Sequence, residues 1–309
     1  MLDRAQGCLL GQLIGDSLGS LVEFRSLEEI HTRYTKGVRE LEDGGTYHTI
    51  AGQPTDDSEM ALMLARTLIE RGTYDPDAAR EAYIFWLKSG PFDRGHTISS
   101  ALGGQLLPDS QANGAMMRVS PLGIYGSRFE AAKVAEWAQM DAALTHPNIV
   151  CRQANSLYAM AISYAIRTGF DAQSVYQSLL EWADEMKVEP SLMKAVRDAE
   201  NEPPSDYNTL QGWVLIAFQN ALWQLLHAPD FEEGLVDTIM HGGDTDTNAA
   251  ICGALTGAVC GRKSIPDRWV RTILNCRPEA GRPGVQHPRP ECFWPVNALR
   301  LAEQLIGEQ

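Results

Sequence analysis

Two stretches of this 309-residue chain carry a glycine at every fourth position. One is LDRAQGCLLGQLIGDSLGS, near the start, and the other is CGALTGAVCG, which ends at residue 261. The glycines are Gly7, Gly11, Gly15, Gly19, Gly253, Gly257 and Gly261. Residues four apart share one face of an α-helix, and each helical glycine costs roughly 1 kcal/mol relative to alanine, which tight packing must offset. The spacing therefore predicts two helices whose glycine faces contact another backbone at a crowded centre.

Most of the remaining sequence has helical periodicity, and almost none of it alternates as a strand would. Helices are predicted over residues 58–72, 76–90, 129–144, 148–169, 174–187, 212–228 and 297–307. The composition, 44% apolar and 21% charged, suits a globular protein with a full core. No linker is long enough to separate two cores, so we expect an all-α fold with one domain over residues 1–309. The stretch RPEAGRPGVQHPRPE near the C-terminus carries no recognisable motif.

The charge and the cysteines narrow the class of protein. The formal net charge is −14, which argues against the basic surface that nucleic-acid binding needs. The six cysteines form no CxxC pair and are expected to be reduced and mostly buried. We find neither a basic signal sequence nor an apolar run of about 18 residues, so we expect a soluble, cytoplasmic protein without membrane contact.

Two clusters of oxygen-bearing side chains each come directly before a predicted helix. They lie in QPTDDSEM and in HGGDTDTNAA, and each holds two aspartates and a threonine. The six residues are Thr55, Asp56, Asp57, Asp244, Asp246 and Thr247. An oxygen-only ligand set suits hard divalent cations such as Mg²⁺ or Mn²⁺, whereas zinc would require histidine or cysteine. With four carboxylates available, the clusters predict a site for two divalent ions.

Two other oxygen-rich motifs do not match the spacing of residues that begins at Asp244. In an EF-hand that begins at Asp244, the sixth position would be Ala249 instead of glycine, and the twelfth would be Leu255 instead of glutamate. In the loop of haloacid-type phosphatases, the fifth position would be Asn248, and a strand should precede the motif. The chain also has no phosphate-binding glycine loop and no GxSxG motif.

The motifs together resemble the ADP-ribosylglycohydrolase family. The resemblance rests on GCLLGQLIGDSLGSLVEF, TDDS and HGGDTDTNAAICGALTGA, with FDRGHTISSAL, ANGAMMRVSPLGI, LTHPNIVCRQAN and QGWVLIAFQNALW between them in order. It extends from about residue 5 to residue 261. It implies an all-α orthogonal helical bundle with a central cleft, in which two Mg²⁺ or Mn²⁺ ions assist removal of ADP-ribose from modified side chains.

The resemblance assigns roles to residues of both clusters and to one further acid. It implies that Thr55, Asp56 and Asp57 ligate one ion, and that Asp244, Asp246 and Thr247 complete the pair. Glu23 matches a glutamate that reaches the metal site and takes part in proton transfer. The expected base is Asp56 or Asp57, together with Glu23.

Substrate contacts are implied at eight positions, which are Asp93, Gly95, Asn113, Gly114, Ala115, Met116, His146 and Trp213. Asp93 would bind the guanidinium that leaves, and the backbone of residues 113–116 would hold the diphosphate and a ribose. His146 matches a histidine near the adenosine. Trp213 stands where many relatives have tyrosine, and Arg94 and His96 depart from the commoner apolar and small residues.

Purely structural interpretations of four of these residues stay open. Glu23 could be an exposed acid, and Asp93 could cap the helix that begins in HTISSAL. His146 could be a turn residue ahead of Pro147, and Trp213 could be a core residue of an apolar helix.

The implied reaction is hydrolysis of the N-glycosidic bond to arginine, which leaves free ADP-ribose and an unmodified protein. A second enzyme class would hydrolyse O-linked ADP-ribose, on serine or on an acetyl ester. A third possibility is a non-hydrolytic ADP-ribose binder or an immunity protein that occludes a toxin. A structural lens-type protein is a further alternative, against which the complete ligand set argues.

Overall fold

Helices make up the regular structure of the chain in the computed structural model, which describes residues 1–307. In chain order, the α-helices of these residues are α1 (Leu2–Gly19), α2 (Leu27–Arg33), α3 (Asp56–Arg71), α4 (Pro76–Lys88), α5 (His96–Leu102), α6 (Ser120–Gly126), α7 (Ala131–Ala143), α8 (Ile149–Thr168), α9 (Ala172–Glu185), α10 (Pro190–Asp198), α11 (Val214–His227), α12 (Phe231–Met240), α13 (Thr245–Cys260), α14 (Asp267–Asn275) and α15 (Ala298–Ile306). Extended pairing in residues 1–307 is limited to two isolated bridges, one of which joins Ala112 to Trp213. The predicted all-α fold is confirmed.

The predicted helices are all present. Each of the seven predicted segments coincides with one helix, and α1 and α13 carry the glycine repeats. Helical periodicity did not predict six helices of ten residues or fewer, which are α2, α5, α6, α10, α12 and α14. Helices of two or three turns are too short to show a clear period, because the pattern needs a window of 11 or more residues.

The two glycine-rich helices pack directly on each other. A Cβ atom added at Gly11 would overlap the carbonyl group of Gly253, and one added at Gly253 would overlap that of Gly11. One turn away, Gly7 and Gly257 block each other in the same manner. Glycine therefore lets the two backbones touch, and the contacts run in opposite directions along the helices, so α1 and α13 are antiparallel.

This packing brings the end of α1 beside the start of α13. A Cβ at Gly19 would overlap the backbone of Thr245 and Asp246. The Thr245 hydroxyl donates to the Gly19 carbonyl at 2.7 Å, and the amide of Phe24 donates to the Gly243 carbonyl at 3.1 Å. The segment after α1 is thus fixed against the oxygen-rich cluster that precedes α13.

One continuous cluster of buried apolar side chains runs from Ala5 in α1 to Ile306 in α15. The prediction of one domain over residues 1–309 stays a prediction. All six cysteines are free thiols; four are buried, Cys292 is half-buried and Cys260 is exposed. Across the described residues, none of the helices combines the length and the apolar character that a bilayer crossing requires.

The segment between α14 and α15, for which the sequence showed no motif, braces the start of α3. The guanidinium of Arg289 is buried and donates to both carboxylate oxygens of Glu59, at 2.7 and 2.8 Å. The side-chain amide of Gln53 donates to the His287 carbonyl at 2.7 Å. Glu59 and Gln53 flank the first acidic cluster in the sequence. These hydrogen bonds from the C-terminal part of the chain therefore hold the segment that carries the cluster.

Gly11→Ala is expected to lower the free energy of unfolding by about 3 kcal/mol or more, because the new methyl group meets backbone that cannot rotate away. The matched change is Gly72→Ala. Gly72 ends α3 at φ 64° in open space, so alanine there should cost only about 1–2 kcal/mol of left-handed strain. Urea denaturation of both variants measures the difference. Equal losses would show that the α1–α13 contact tolerates a side chain.

Arg289→Ala is expected to cost about 3–5 kcal/mol of stability, because it leaves the Glu59 carboxylate buried without its counter-ion. Lys133→Ala breaks an ion pair with Glu136 whose side chains are both about half exposed, and little change is expected there. Chemical denaturation of the two variants beside the parent protein tests the brace. A stable Arg289→Ala protein with intact helical content would rule it out.

Candidate active site

A cleft of about 360 Å³ opens where the ends of α1, α3, α5 and α13 meet. Its volume falls within the usual range of small-molecule sites. Six carboxylates line it, contributed by four separate segments of the chain. They are Glu23, Asp56, Asp57, Asp93, Asp244 and Asp246. The structure thus brings together the two acidic clusters that the sequence analysis paired, along with two acids that the resemblance placed nearby.

Helix starts hold four of these acids. Asp56 and Asp57 occupy the first turn of α3, while Asp244 is the N-cap residue of α13 and Asp246 lies in its first turn. Unpaired amide groups and the helix dipole favour negative charge at such positions. Neither Thr55 nor Asp244 caps its helix through its own side chain, so the Asp244 carboxylate does not bond to its own helix.

The cap of α3 comes instead from Asp16 in α1, a residue to which the sequence analysis gave no role. The Asp16 carboxylate accepts hydrogen bonds from the Thr55 amide at 3.1 Å, from the Thr55 hydroxyl at 2.9 Å and from the Ser58 amide at 3.1 Å. Complete burial raises the pKa of Asp16 to about 7. The sequence did contain a sign of this role. Asp16 lies between Gly15 and Gly19, which pack against another helix, so an acid at this position is expected to be buried. Asp16 therefore ties the start of α3 to α1.

Three carboxylate oxygens in the cleft are buried without a hydrogen-bond partner among residues 1–307. They are Oε2 of Glu23, Oδ1 of Asp57 and Oδ2 of Asp246. Buried polar atoms in proteins are nearly always paired, so these three oxygens indicate a group that the protein itself does not supply. Oxygens of Glu23, Asp93 and Asp246 also lie within 4.8 Å of one another. Carboxylate oxygens this close together fit a hard divalent cation.

The two threonines of the predicted ligand set differ in their exposure to the cleft. Thr247 lines the cleft, whereas Thr55 is completely buried beneath it. The Thr55 hydroxyl lies 3.1 Å from Oδ2 of Asp57 as well as close to Asp16. Sequence reasoning placed Glu23 and Asp93 outside the ligand set, yet their geometry makes them equally able to hold an ion.

The electrostatics of the cleft lead to the same interpretation. Burial, and then the neighbouring acids, raise the pKa values of Asp56, Asp57 and Asp246 well above the ordinary range. Burial raises the pKa of Glu23 to about 8, with further contributions from Asp93 and Asp244. Two unit charges about 5 Å apart repel each other by roughly 3 kcal/mol at an effective dielectric constant of about 20. Ionising these carboxylates together is therefore unfavourable, and a bound cation would offset that cost.

Burial and helix capping decide two of the structural alternatives. Glu23 is only 4% exposed, so it is not a surface acid. Asp93 does not cap α5, because the N-cap residue there is Gly95 and no side chain caps the helix. The Gly95 amide instead donates to Oδ2 of Asp56 at 3.2 Å. Asp93 stays in the cleft wall, where burial raises its pKa.

The turn at residues 113–116 forms another wall of the cleft. Asn113 donates from its side chain to Oδ2 of Asp244 at 2.8 Å, which joins the turn to the second acidic cluster. At Gly114 a Cβ would come within 2.9 Å of the Ile98 side chain, so glycine permits close packing here. Ala115 and Met116 are fully buried, and of these four residues only Asn113 and Gly114 line the cleft.

The last two predicted contacts lie in different places. His146 is fully buried in the cleft wall, and burial together with the nearby Arg118 lowers its pKa to about 3. Trp213 lies outside the acidic cleft. It precedes α11, donates from Nε1 to the Gln111 side chain at 2.9 Å, and faces a neighbouring groove that includes Leu210.

Comparisons with known proteins show the family of the chain. The family model described as ADP-ribosylglycohydrolase matches residues 1–304. The ADP-ribosyl-(dinitrogen reductase) glycohydrolase of Rhodospirillum rubrum is 31% identical over 281 residues, covering 88% of this chain and 90% of that protein. An ADP-ribosylarginine hydrolase of Pseudomonas putida is 27% identical over 290 residues, covering 88% and 74% respectively. The solved structure of an ADP-ribosylglycohydrolase-related protein complex matches 99% of this chain and 98% of its own, with a TM-score of 0.81 and 27% identity. The chain belongs to the ADP-ribosylglycohydrolase family.

Proposed function

We propose that this protein is a hydrolase that depends on divalent cations and removes ADP-ribose from modified arginine side chains. The observation that carries the proposal is the meeting of six carboxylates from four chain segments, five of them buried, in one cleft with unpaired oxygens. A non-catalytic binder would tolerate the loss of metal ligands, whereas all six are present in this chain. The metal ligands proposed are Thr55, Asp56, Asp57, Asp244, Asp246 and Thr247, with Glu23 in reach of the same site.

The acidity of the cleft also favours a cationic leaving group. Asp93 and Glu23 stand together on one side, beside the phenol of Tyr47, whose pKa the two acids and burial raise. The rings of Tyr47 and Phe92 lie 5.5 Å apart, and that of Phe92 lies 4.8 Å from His287. Carboxylates next to aromatic rings suit a guanidinium group, which forms ion pairs and stacks. The arginine acceptor named for the Pseudomonas putida relative supports this assignment.

The reaction follows from these positions. Water attacks the anomeric carbon of the ribose through an oxocarbenium-like state, and the bond from that carbon to the guanidine nitrogen breaks. A carboxylate among Glu23, Asp56 and Asp57 takes the proton from the water and passes it to the released guanidine. Asp93 holds the guanidinium in line. The products are ADP-ribose and unmodified arginine.

Divalent cations fit the ligand set because its donors are all oxygens, and because oxygens of Asp57 and Asp246, like one of the adjacent Glu23, have no hydrogen-bond partner among residues 1–307. When bound, Mg²⁺ or Mn²⁺ would neutralise the carboxylates and polarise the oxygens that coordinate it. The chain's own contribution is to hold the acids in place. Asp16 caps α3, Asn113 holds Asp244 through a hydrogen bond, and the α1–α13 contact fixes Glu23 near Asp246.

The direct test supplies arginine-ADP-ribosylated protein, serine-ADP-ribosylated peptide and O-acetyl-ADP-ribose, each with Mg²⁺ or Mn²⁺, and measures released ADP-ribose. Release from the arginine substrate alone is expected. Glu23→Gln should lower kcat by roughly 10²–10⁴-fold, the usual contribution of a general acid or base. Glu181→Gln, which changes an exposed acid of α9, should behave as the parent protein does.

Each contrary result has a distinct meaning. Release only from the O-linked substrates would overturn the arginine assignment and leave a hydrolase. Tight binding of ADP-ribose without turnover of any substrate would indicate the binding-protein alternative. Unchanged activity in the double variant Asp244→Asn, Asp246→Asn would remove the metal assignment.

Stability should depend on pH in cation-free buffer. Unfolded carboxyl groups lose their protons near pH 4, whereas folded Asp16 and Glu23 keep theirs to about pH 7 and about pH 8. Over this range the unfolded state binds fewer protons, so the free energy of unfolding should fall as pH rises from about 5 to about 8. Cations bind the ionised acids. The increase in melting temperature on addition of MgCl₂ should therefore be larger at about pH 8 than at about pH 6.

Differential scanning calorimetry with and without MgCl₂ at both pH values measures this effect. The double variant Asp244→Asn, Asp246→Asn should lose most of the magnesium-induced gain, while Glu181→Gln should retain it. A gain that is equal at the two pH values in the parent protein would contradict cation binding by these acids.

A further inference from the structure

We propose that Arg118 and Thr145 are positioning residues that hold His146 as a neutral imidazole with its proton on Nε2. This N–H then binds an oxygen of the ADP-ribose in the cleft. The identity of the ligand rests on the proposed function; the state of the histidine does not.

The starting observation is an unpaired nitrogen in the cleft wall. His146 is fully buried, and its Nε2 has no hydrogen-bond partner among residues 1–307. The turn at Gly114 passes close to the ring, because a Cβ added there would lie 3.2 Å from Cε1 and 3.4 Å from Nε2 of His146. A buried polar atom of this kind costs stability unless something pairs with it. A ligand in the cleft is the available partner.

The hydrogen bonds on the other side of the ring assign its proton. The Thr145 hydroxyl oxygen lies 2.8 Å from Nδ1 of His146 and 2.8 Å from Nη1 of Arg118. A guanidinium only donates, so the threonine oxygen accepts from Arg118 with one of its two lone pairs. Among residues 1–307, Nδ1 of His146 is the only other hydrogen-bond partner of this hydroxyl, so the buried hydroxyl proton is paired only if Nδ1 accepts it. Nδ1 therefore carries no proton, and a neutral imidazole then has its proton on Nε2.

Charge keeps the imidazole neutral. Arg118 is fully buried, and Asp141 balances it through an ion pair of 3.0 Å to Nε. The other oxygen of Asp141 accepts from the hydroxyls of Tyr83 at 2.7 Å and Tyr74 at 3.4 Å. A second positive charge on His146 would stand beside Arg118 without a counter-ion of its own. Burial and Arg118 accordingly lower the pKa of His146 far below neutral.

Arg118 also connects the histidine to the turn that faces it. Its Nη1 donates to the Gly114 carbonyl at 3.3 Å, in addition to the Thr145 hydroxyl. One guanidinium thus sets both the orientation of the imidazole and the position of the 113–116 turn. Because a neutral N–H donates only one hydrogen bond, His146 selects an oxygen acceptor, such as a sugar hydroxyl or a phosphate oxygen, at one place in the cleft.

The proton can be located directly. Protein labelled with ¹⁵N-histidine is recorded by long-range ¹H–¹⁵N NMR, and a His146→Gln sample assigns the signals of the missing ring. The expected pattern is an unprotonated Nδ1 and a protonated Nε2 in the parent protein. Thr145→Val removes the donor to Nδ1 and should change this pattern, whereas Thr145→Ser should preserve it.

Binding of ADP-ribose, measured by calorimetry in the presence of MgCl₂, tests the consequence. Thr145→Val should weaken binding about 5- to 10-fold, the usual effect of one misplaced hydrogen bond, and Thr145→Ser should restore it. Thr67→Val is the matched control. Thr67 is a buried threonine whose hydroxyl donates only to the Met63 carbonyl of its own helix, so ADP-ribose binding should not change.

The outcomes separate this inference from the proposed function. A proton on Nδ1 of the parent protein, or a Thr145→Val protein that binds ADP-ribose as tightly as the parent, overturns the inference even if arginine substrates are hydrolysed. The expected NMR pattern and binding losses without hydrolysis support the inference and overturn the proposed function. A parent protein that does not bind ADP-ribose overturns both. The NMR result on the parent protein decides the tautomer even if a Thr145 variant fails to fold.

Discussion

The direct contact between the backbones of α1 and α13 is the constraint on which the rest of the structure depends. Glycines at every fourth position let the helices approach until carbonyl groups fill the space that side chains would occupy. The contact is antiparallel, so the end of one helix meets the start of the other. Glu23, just after α1, and Asp246, in the first turn of α13, are therefore neighbours because the backbone contact extends along both helices from Gly7 to Gly19.

The carboxylates in the cleft act against this helix packing. Their mutual repulsion tends to open the cleft, while the capping of α3 by Asp16, the Asn113–Asp244 hydrogen bond and the Arg289 brace resist it. An apolar core built from many helices tolerates such a region because the cost is local. The cations proposed for this site would relieve the same repulsion, so the local cost in stability and the proposed chemistry come from one concentration of negative charge.

Sequence patterns predicted the features that depend on residues close together in the sequence. The long helices followed from their period, and the two oxygen-rich clusters followed from their composition and their place before helices. Asp16, Arg118 and Arg289 were not assigned because each acts on a partner that pattern reasoning does not connect to it, such as Glu59 for Arg289. A single charged residue has no period and no motif, so only the tertiary contacts reveal its function. The position of Trp213 beyond the acidic cleft was hidden from the sequence for the same reason.

The contact between α1 and α13 joins residues that are more than two hundred positions apart. During synthesis, the first helix leaves the ribosome long before its glycine-lined partner exists, and its bare backbone face has nothing to cover it until most of the chain has been made. The counter-ion for Glu59 arrives later still, with Arg289. A nascent chain of this protein therefore has no means of assembling a functional cleft early, and acquisition of activity during translation is tied to the final stage of elongation.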